Sequence, residues 1–146
     1  MLSGKIAGNH SVVLVFDTGA LGPFEDAVAV EGLRKTETLI VVGWANSALA
    51  KVADVVLPIT THAETEGTFI NSQNRLQKFE RAFPAPAGVV SGVRVLSDVV
   101  RRFRSGFRLD AAAGVFALMG DSIPALHGIG FEGLPADGLQ LPVRLE

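Results

Sequence analysis

Three short runs rich in valine, leucine and isoleucine constrain the fold of this chain more than any other feature. They occupy residues 11–16 (SVVLVF), 38–42 (TLIVV) and 55–59 (VVLPI). Continuous apolar runs of this length, bounded by turn residues such as Asp17-Thr18-Gly19, are typical of β-strands buried on both faces. Because strands of that kind occur in parallel sheets covered by helices, the three runs predict a parallel sheet.

The segments between these runs have helical patterns. Residues 23–35 (PFEDAVAVEGLRK) place Pro23 at a first helical position, with acidic residues in the first turn and basic residues in the last, which complements the helix dipole at both ends. A shorter helix is expected around residues 49–52, with Asn46 or Ser47 as its cap. The alternation of strands and helices predicts an α/β fold with a three-layer parallel sheet and crossover helices.

A β-hairpin is predicted after the third run. From Thr60 the sequence mixes polar and apolar residues, and the turn residues at 71–74 separate two short extended pieces. We expect this hairpin to lie over the carboxyl ends of the parallel strands, where ligands of open α/β sheets bind.

The rest of the chain predicts helices and a loop-rich tail. Apolar residues recur at helical spacing over 95–103 opposite charged residues, which predicts a packing helix with a solvated basic face. Further helices are expected at 110–119, with Asp110 as cap and Gly120 as its end, and at 122–126. The last residues have too few periodic apolar positions for an element of their own and are expected to strap onto a neighbouring surface.

Composition excludes several classes of function. The 146 residues suit one domain, and 48% are hydrophobic against 19% charged, which favours a part of a larger assembly. The net charge of −2 argues against a dedicated binder of nucleic acid or anionic membranes. No signal peptide or membrane span is expected, which predicts a cytoplasmic chain.

Metal and redox centres are also not expected in this chain. It contains no cysteine, so it offers no thiolate for an iron–sulfur cluster or a cysteine-type zinc site. The histidines His10, His62 and His127 stand far apart, without the spacing of paired metal ligands. Any electron transfer is therefore expected to occur outside the chain.

The predicted hairpin carries most of the polar groups that could bind a ligand. Hydroxyl, amide and guanidinium groups there suit a pterin edge or a phosphate, and they belong to Thr68, Asn71, Asn74, Arg75 and Gln77. The alternative is a hydrogen-bonded hairpin that only closes the sheet. The neighbouring carboxylates of Glu64 and Glu66 have no histidine, serine or cysteine nucleophile close in sequence to complete an acid–base site.

Two features near the strand ends carry weaker signals. Asp17-Thr18-Gly19 could approach a ligand, but the residues after it do not continue into a phosphate-binding glycine pattern. Trp44 follows the second strand, and we expect it to cap the core rather than to stack on a ligand.

Residues 53–86 (ADVVLPITTHAETEGTFINSQNRLQKFERAFPAP) resemble a signature of the molybdopterin-dependent oxidoreductase family. That signature has ADVVLP, then an acidic residue before Gly-Thr, then Asn, Arg and Gln at these spacings. The resemblance covers residues 1–105 as the α/β domain and leaves 106–146 as a helical, strap-like tail. It departs from the pattern of catalytic members at Ser72-Gln73-Asn74. The positions that correspond to the pterin-proximal loop are Glu66, Gly67, Thr68, Asn71, Arg75 and Gln77.

Within the family, the chain most resembles the C-terminal part of the large subunit of bacterial NADH-quinone oxidoreductase, respiratory complex I. The resemblance implies a non-catalytic structural domain with at most a vestigial molybdopterin site, and iron–sulfur clusters only on other regions or partner subunits. It implies partners within that complex and a cytoplasmic location peripheral to the inner membrane. One alternative is the pterin-binding domain of a working molybdenum oxidoreductase. Another is a stand-alone nucleotide-binding module.

Overall fold

The computed structural model describes residues 10–17 and 27–142, and the chain divides into two compact units, Met1–Thr61 and His62–Glu146. The boundary between the two units, after Thr61, lies before the predicted hairpin in the chain. The predicted boundary at residue 105 rests on the family resemblance and stays a prediction.

The first unit contains a three-stranded parallel sheet. Its strands lie in the order β1-β2-β3, with Val12 paired to Thr38 and Ile40 paired to Val55. The predicted parallel sheet is confirmed, and the elements are β1 (Val12–Asp17), α1 (Ala27–Arg34), β2 (Thr38–Gly43) and β3 (Val55–Pro58). The predicted start of the first helix, with Pro23, Glu25 and Asp26, lies outside the described residues.

The core of this unit forms around the central strand β2. Leu39 and Val41 are each 1% exposed and pack with Val15, Leu33 and Leu49. Central position explains this burial, since β2 has a neighbouring strand on each side. The apolar side chains of this cluster, removed from water, provide the unit with its hydrophobic stabilisation.

The prediction of a second helix around residues 49–52 is wrong. Residues 48–52 form turns, in which Ser47 Oγ accepts a hydrogen bond from the Ala50 amide at 3.1 Å and Val52 N donates to Leu49 O at 3.1 Å. Lys51 N also donates to Ser47 O at 3.3 Å, and the segment reaches β3 without a helix. The Asp54 carboxylate positions the start of β3 by accepting a hydrogen bond from the Leu39 amide at 2.7 Å. The described residues thus show one helix, α1, between the strands of the parallel sheet, and the three-layer arrangement is not established.

The second unit contains a three-stranded antiparallel sheet and two helices. The strand order is β4-β5-β6, so the predicted hairpin is confirmed. Single turns of 3₁₀ helix lie at His62–Glu64 and Pro124–Leu126. The other elements are β4 (Gly67–Ile70), β5 (Arg75–Phe79), α2 (Gly92–Phe103), α3 (Ala112–Ser122) and β6 (Leu139–Gln140).

The C-terminal tail is ordered by its own unit. Leu139 pairs with Leu76 of β5, although the sequence predicted no element here. The tail also completes a buried cluster composed of Leu76, Phe116, Leu126, Phe131, Leu134 and Leu141. Isolated apolar residues between glycines and prolines thus fill a core without helical or strand periodicity.

The predicted limits of α3 are wrong at both ends. Ala111 is the N-cap, and its methyl group provides no side-chain hydrogen bond. The Asp110 carboxylate accepts from Arg108 Nε at 2.6 Å instead of capping the helix. Gly120 lies inside the helix, where its missing side chain leaves room for the Leu126 carbonyl oxygen, 3.4 Å from the position that a Cβ would take. The helix ends at Ser122.

Candidate functional site

The β4–β5 hairpin presents two different faces. Cross-strand partners share a face and successive residues alternate, so Thr68 and Lys78 lie on the face of Leu76, which is 1% exposed. Phe69 and its partner Gln77 lie on the opposite face, together with Phe79. Phe69 is 57% exposed, and we call this side the outer face of the hairpin.

The fold brings only part of the predicted site together. Gly67 and Gln77 lie on the outer face, as does Arg75, two residues before Gln77. Thr68 belongs to the core-side face. Asn71 is in the turn, and Glu66 is exposed just before β4. The six predicted positions therefore do not converge on one surface.

Asn71 shapes the turn between the two strands. Its side-chain Oδ1 accepts hydrogen bonds from the amides of Gln73 at 3.0 Å and Arg75 at 2.9 Å. Its backbone carbonyl accepts from the Asn74 amide at 2.9 Å. Asn74 takes the left-handed conformation with φ 64°, which asparagine tolerates better than most residues. The amide oxygen of Asn71 is thus committed to the backbone of its own turn.

Arg75 binds the C-terminal tail. Its Nη1 donates to the carbonyl oxygens of Asp137 and Gly138, each at 3.2 Å. Gly138 has φ +81°, and a Cβ at this position would lie 2.7 Å from the Leu76 carbonyl oxygen. The tail can approach β5 this closely only because residue 138 is glycine.

Two amide side chains add further hydrogen bonds between the hairpin and the C-terminal tail. Asn74 Nδ2 donates to the Leu141 carbonyl at 3.0 Å, and Leu141 N donates to the Asn74 carbonyl at 3.1 Å. Gln140 Nε2 donates to the Gln73 carbonyl at 2.9 Å. Side chains and backbone of the turn therefore hold β6 at the edge of the hairpin. No sequence signal points to these partners, which are more than 60 residues away from the turn.

The glycine of the Gly-Thr motif has a packing role in this structure. A Cβ on Gly67 would lie 2.9 Å from Cζ of Phe79. The Phe79 ring stacks on Phe69 with centroids 4.6 Å apart and an interplanar angle of 17°. His62 approaches the Phe69 ring edge-on at 6.4 Å. Gly67 thus leaves space for an aromatic pair on the outer face.

Lys78 forms a polar contact that the sequence did not predict. Its Nζ donates to Glu132 Oε2 at 2.8 Å and lies 4.6 Å from the centroid of the Phe131 ring. The hydrogen bond to Glu132 raises the pKa of Lys78 above its ordinary value. The ammonium group therefore ties β5 to the segment after α3 rather than standing free for a ligand.

Some donors of the hairpin remain available. The Gln77 side chain is exposed and forms no hydrogen bond with a described residue. Arg75 uses only Nη1 in the bonds to the tail, so Nη2 and Nε can still donate. The outer face could thus bind a polar group weakly, but it shows no acid–base pair or nucleophile among the described residues.

The carboxyl edge of the parallel sheet is a second polar region. Asp17 is 5% exposed, and Gly43 lies so close that a Cβ there would be 2.5 Å from the Asp17 carbonyl oxygen. Thr60 Oγ1 is buried without a hydrogen-bond partner among the residues that the structure describes. Trp44 is 41% exposed, so the expectation that it caps the core is wrong. Thr18 and Gly19 lie outside the described residues.

The described residues contain no group of three His, Asp or Glu side chains that could hold a metal ion. His10, His62 and His127 are each exposed. No helix in the described part of the chain is long and apolar enough to cross a bilayer.

Comparison with known proteins identifies the family. Residues 4–101 match the model of the molybdopterin oxidoreductase family. The chain belongs to this family. The match includes the whole hairpin and all predicted site positions, so the resemblance of residues 53–86 is confirmed at the level of the family.

Curated relatives carry several different activities in their names. F420-dependent formate dehydrogenase 2 subunit alpha of Methanococcus maripaludis is 37% identical over 97 residues, covering 65% of this chain and 14% of that protein. Assimilatory nitrate reductase of Haloferax mediterranei is 32% identical over 103 residues, covering 70% of this chain and 14% of that protein. An NADH-quinone oxidoreductase subunit of Rhizobium meliloti is 31% identical over 133 residues, covering 90% of this chain and 16% of that protein.

The chain spans only 14% to 16% of the length of these relatives. Their names include formate dehydrogenase and nitrate reductase as well as NADH-quinone oxidoreductase. The comparisons therefore support a molybdopterin oxidoreductase relationship without singling out one of these activities.

Proposed function

We propose that this chain is a non-catalytic, structural part of the large subunit of an NADH-quinone oxidoreductase. The observation that carries the proposal is the use of the motif's polar groups within the chain itself. Asn71 binds the backbone of its own turn, and Arg75 binds the carbonyls of Asp137 and Gly138. Groups committed in this way stabilise the fold rather than act on a substrate.

The extent of the similarity also supports this role. The alignment with the NADH-quinone oxidoreductase subunit of Rhizobium meliloti covers 90% of this chain, so it must include α3. The family match ends at residue 101. The wider coverage of this chain, 90% against 65% to 77% for the formate dehydrogenase and nitrate reductase relatives, favours this relative.

In this proposal the chain supports electron transfer from NADH to quinone without carrying electrons. The iron–sulfur clusters belong to other regions or subunits, because the chain has no cysteine. Its partners are those subunits, and the assembly lies on the cytoplasmic side, peripheral to the inner membrane.

The test is purification of the chain from its native membranes. The tagged chain is isolated in mild detergent, its partners are identified by mass spectrometry, and the eluate is assayed for NADH-dependent quinone reduction and for formate oxidation. Iron–sulfur and quinone-reducing subunits with NADH-dependent activity are expected. Formate oxidation, or purification without such subunits, would contradict the proposal.

A second candidate function is pterin binding in an active molybdenum oxidoreductase. It is favoured by the exposed amide of Gln77, which lies opposite the exposed ring of Phe69 on the outer face. Asn71, Arg75 and Gln77 would hold the polar edge of the cofactor, Glu66 could join them from the exposed end of β4, and Thr68 would not contribute from the core-side face. The molybdenum–pterin group would supply the redox chemistry.

Substitution of Gln77 separates the two functions, because this side chain forms no hydrogen bond with a described residue. A Gln77→Ala variant that folds normally but loses molybdenum and pterin from its complex would establish the second function. Absence of molybdenum and pterin from the wild-type complex would remove it.

A further inference from the structure

The C-terminal tail carries the chain's only Asp-Gly sequence, Asp137-Gly138, directly before β6. In such a sequence the backbone nitrogen of the second residue reaches the aspartate side chain with the least steric hindrance, because glycine has no Cβ. Asp137 is exposed, and its carboxylate forms no hydrogen bond or ion pair with a described residue. The carboxyl carbon of Asp137 is therefore unshielded from the Gly138 nitrogen.

The folded tail fixes the peptide unit between these two residues at both ends. Its carbonyl oxygen, on Asp137, accepts from Arg75 Nη1 at 3.2 Å, and its N–H, on Gly138, donates to the Pro135 carbonyl at 2.9 Å in a β-turn. The third residue of such a turn has ψ of about 0°, which brings the next nitrogen alongside the residue's own nitrogen. Attack on the side chain requires that nitrogen to lie alongside Cβ, so the planar unit must rotate and lose both hydrogen bonds.

We propose that Asp137-Gly138 is a site of spontaneous isoaspartate formation, which the tail suppresses while it is bound to β5. The tail pairs with β5 at only two positions, Arg75 with Gln140 and Leu76 with Leu139. Segments held by so few backbone pairs open locally more readily than the core of a domain. The reaction therefore takes place in chains whose tail has detached, and it needs no ligand, partner or other subunit.

The reaction consists of a dehydration followed by a hydrolysis. The Gly138 nitrogen attacks Cγ of Asp137, so a C–N bond forms and a carboxyl C–O bond breaks. The oxygen leaves as water with the amide proton, and a cyclic succinimide remains. Water then opens the ring at either of its two carbonyl carbons. Opening at the former main-chain carbonyl gives an isoaspartyl linkage, in which the chain runs through Cβ and Cγ, and no atom is oxidised or reduced.

The isoaspartyl product does not fit the place of the tail on β5. It adds one carbon atom to the main chain directly before Gly138, and the carbonyl that precedes Gly138 is then the former side-chain carbonyl. The folded chain has no room for this change, since a Cβ on Gly138 would already lie 2.7 Å from the Leu76 carbonyl oxygen and from Cγ of Gln77. The pairing of Leu139 with Leu76 is therefore not restored, and one opening of the tail becomes permanent.

The test measures isoaspartate in the full chain during incubation at neutral pH and physiological temperature. Trypsin releases residues 109–144 as one peptide, and fragmentation in the mass spectrometer locates the isoaspartyl residue within it. The same chain unfolded in urea gives the rate without protection. We expect formation at Asp137 to be at least about tenfold slower in the folded chain. Equal rates in the folded and unfolded chain, or no isoaspartate in the unfolded chain, would overturn the proposal.

Two variants loosen the tail to different extents. Arg75→Ala removes the donor to the Asp137 carbonyl and should raise the rate in the folded chain about tenfold. Gln140→Ala removes only the hydrogen bond from Nε2 to the Gln73 carbonyl and should raise it about threefold. Arg81→Ala, at an exposed arginine, is the control and should leave the rate unchanged. Circular dichroism establishes that each variant is folded. Rates in both tail variants equal to the control would contradict suppression by the bound tail.

The state of the product is tested on the separated isoaspartyl chain. Chromatography isolates it from the unreacted chain, and hydrogen exchange compares the two at the Leu141 amide, which donates to the Asn74 carbonyl in the folded protein. We expect fast exchange at Leu141 in the isoaspartyl chain and slow exchange in the unreacted one. Slow exchange in both would show that the tail binds β5 again, which would overturn the permanent detachment.

Discussion

The Arg75 guanidinium donates through one nitrogen to the carbonyl oxygen of Gly138, 3.2 Å away, and to that of the preceding residue. This contact joins β5 to the C-terminal tail across 63 residues of sequence. A motif arginine that the family resemblance assigns to a cofactor thus stabilises a strand of its own sheet.

Removal of this guanidinium is expected to destabilise the second unit. Arg75→Ala should lower the free energy of unfolding by about 1–2 kcal/mol, because two carbonyl groups lose a charged donor. Chemical unfolding followed by circular dichroism measures the change. Arg81→Ala, at an exposed arginine, is the matched control and should change stability by less than about 0.5 kcal/mol. Equal effects of the two substitutions would show that the Arg75 contact contributes nothing.

Gly138 should tolerate no side chain. Gly138→Ala combines an unfavourable φ of +81° with a Cβ 2.7 Å from the Leu76 carbonyl oxygen. We expect a loss of at least about 2 kcal/mol and faster hydrogen exchange at β6. Gly130→Ala is the control, since nothing lies within 4 Å of its added Cβ. Unchanged exchange in Gly138→Ala would mean that the tail is not held against β5.

The N-terminus of α2 depends on Ser91, whose Oγ accepts a hydrogen bond from the Arg94 amide at 3.2 Å. Ser91→Ala should reduce stability by about 1 kcal/mol, and Ser91→Gly by only a few tenths. Thermal unfolding of both variants checks this order. A larger loss of stability in Ser91→Gly than in Ser91→Ala would indicate that the loss comes from the greater backbone freedom of glycine in the unfolded chain. The missing hydrogen bond of the cap would then not be its cause.

The ion pairs of Asp110 predict a dependence of stability on pH. The hydrogen bond from Arg108 lowers the pKa of Asp110 below its ordinary value. A carboxyl group whose pKa is lower in the folded state stabilises the protein above its unfolded pKa of about 3.9, and this contribution is lost as the pH falls through the folded pKa. Unfolding curves of the wild type and Asp110→Asn should therefore differ at neutral pH and converge in acid. Asp121→Asn, at an exposed residue without an ion pair to a described residue, should show no such convergence.

The parallel strands could be predicted from the sequence because each is a continuous apolar run. The hairpin could be predicted because Asn71 and Asn74 have strong turn preferences. The two-residue strand β6 could not be predicted, since Leu139 and Gln140 gain their structure from contacts with a turn more than 60 residues away. The limits of α3 were also missed, because the partners of Asp110 and the space around Gly120 exist only in the folded chain.

The contacts of the candidate site residues could likewise be predicted only in part from the sequence. The spacing of Asn71, Arg75 and Gln77 identified the family, which the comparisons confirm. The sequence did not show that Thr68 lies on the core-side face or that Arg75 is held by the tail. Alternation along β4 places Thr68 opposite Lys78, but which face is buried depends on Leu76 and the distant residues that cover it.

The molybdenum and pterin content of the complex purified through this chain tests the central claim most directly. The claim is that Asn71 and Arg75 hold the chain's own turn and tail, and that the hairpin holds no cofactor. Metal analysis and fluorescence of the oxidised pterin, each expressed per chain, should give neither molybdenum nor pterin in a complex that contains iron–sulfur subunits. One pterin cofactor per chain, lost in Gln77→Ala while the complex stays intact, would contradict it.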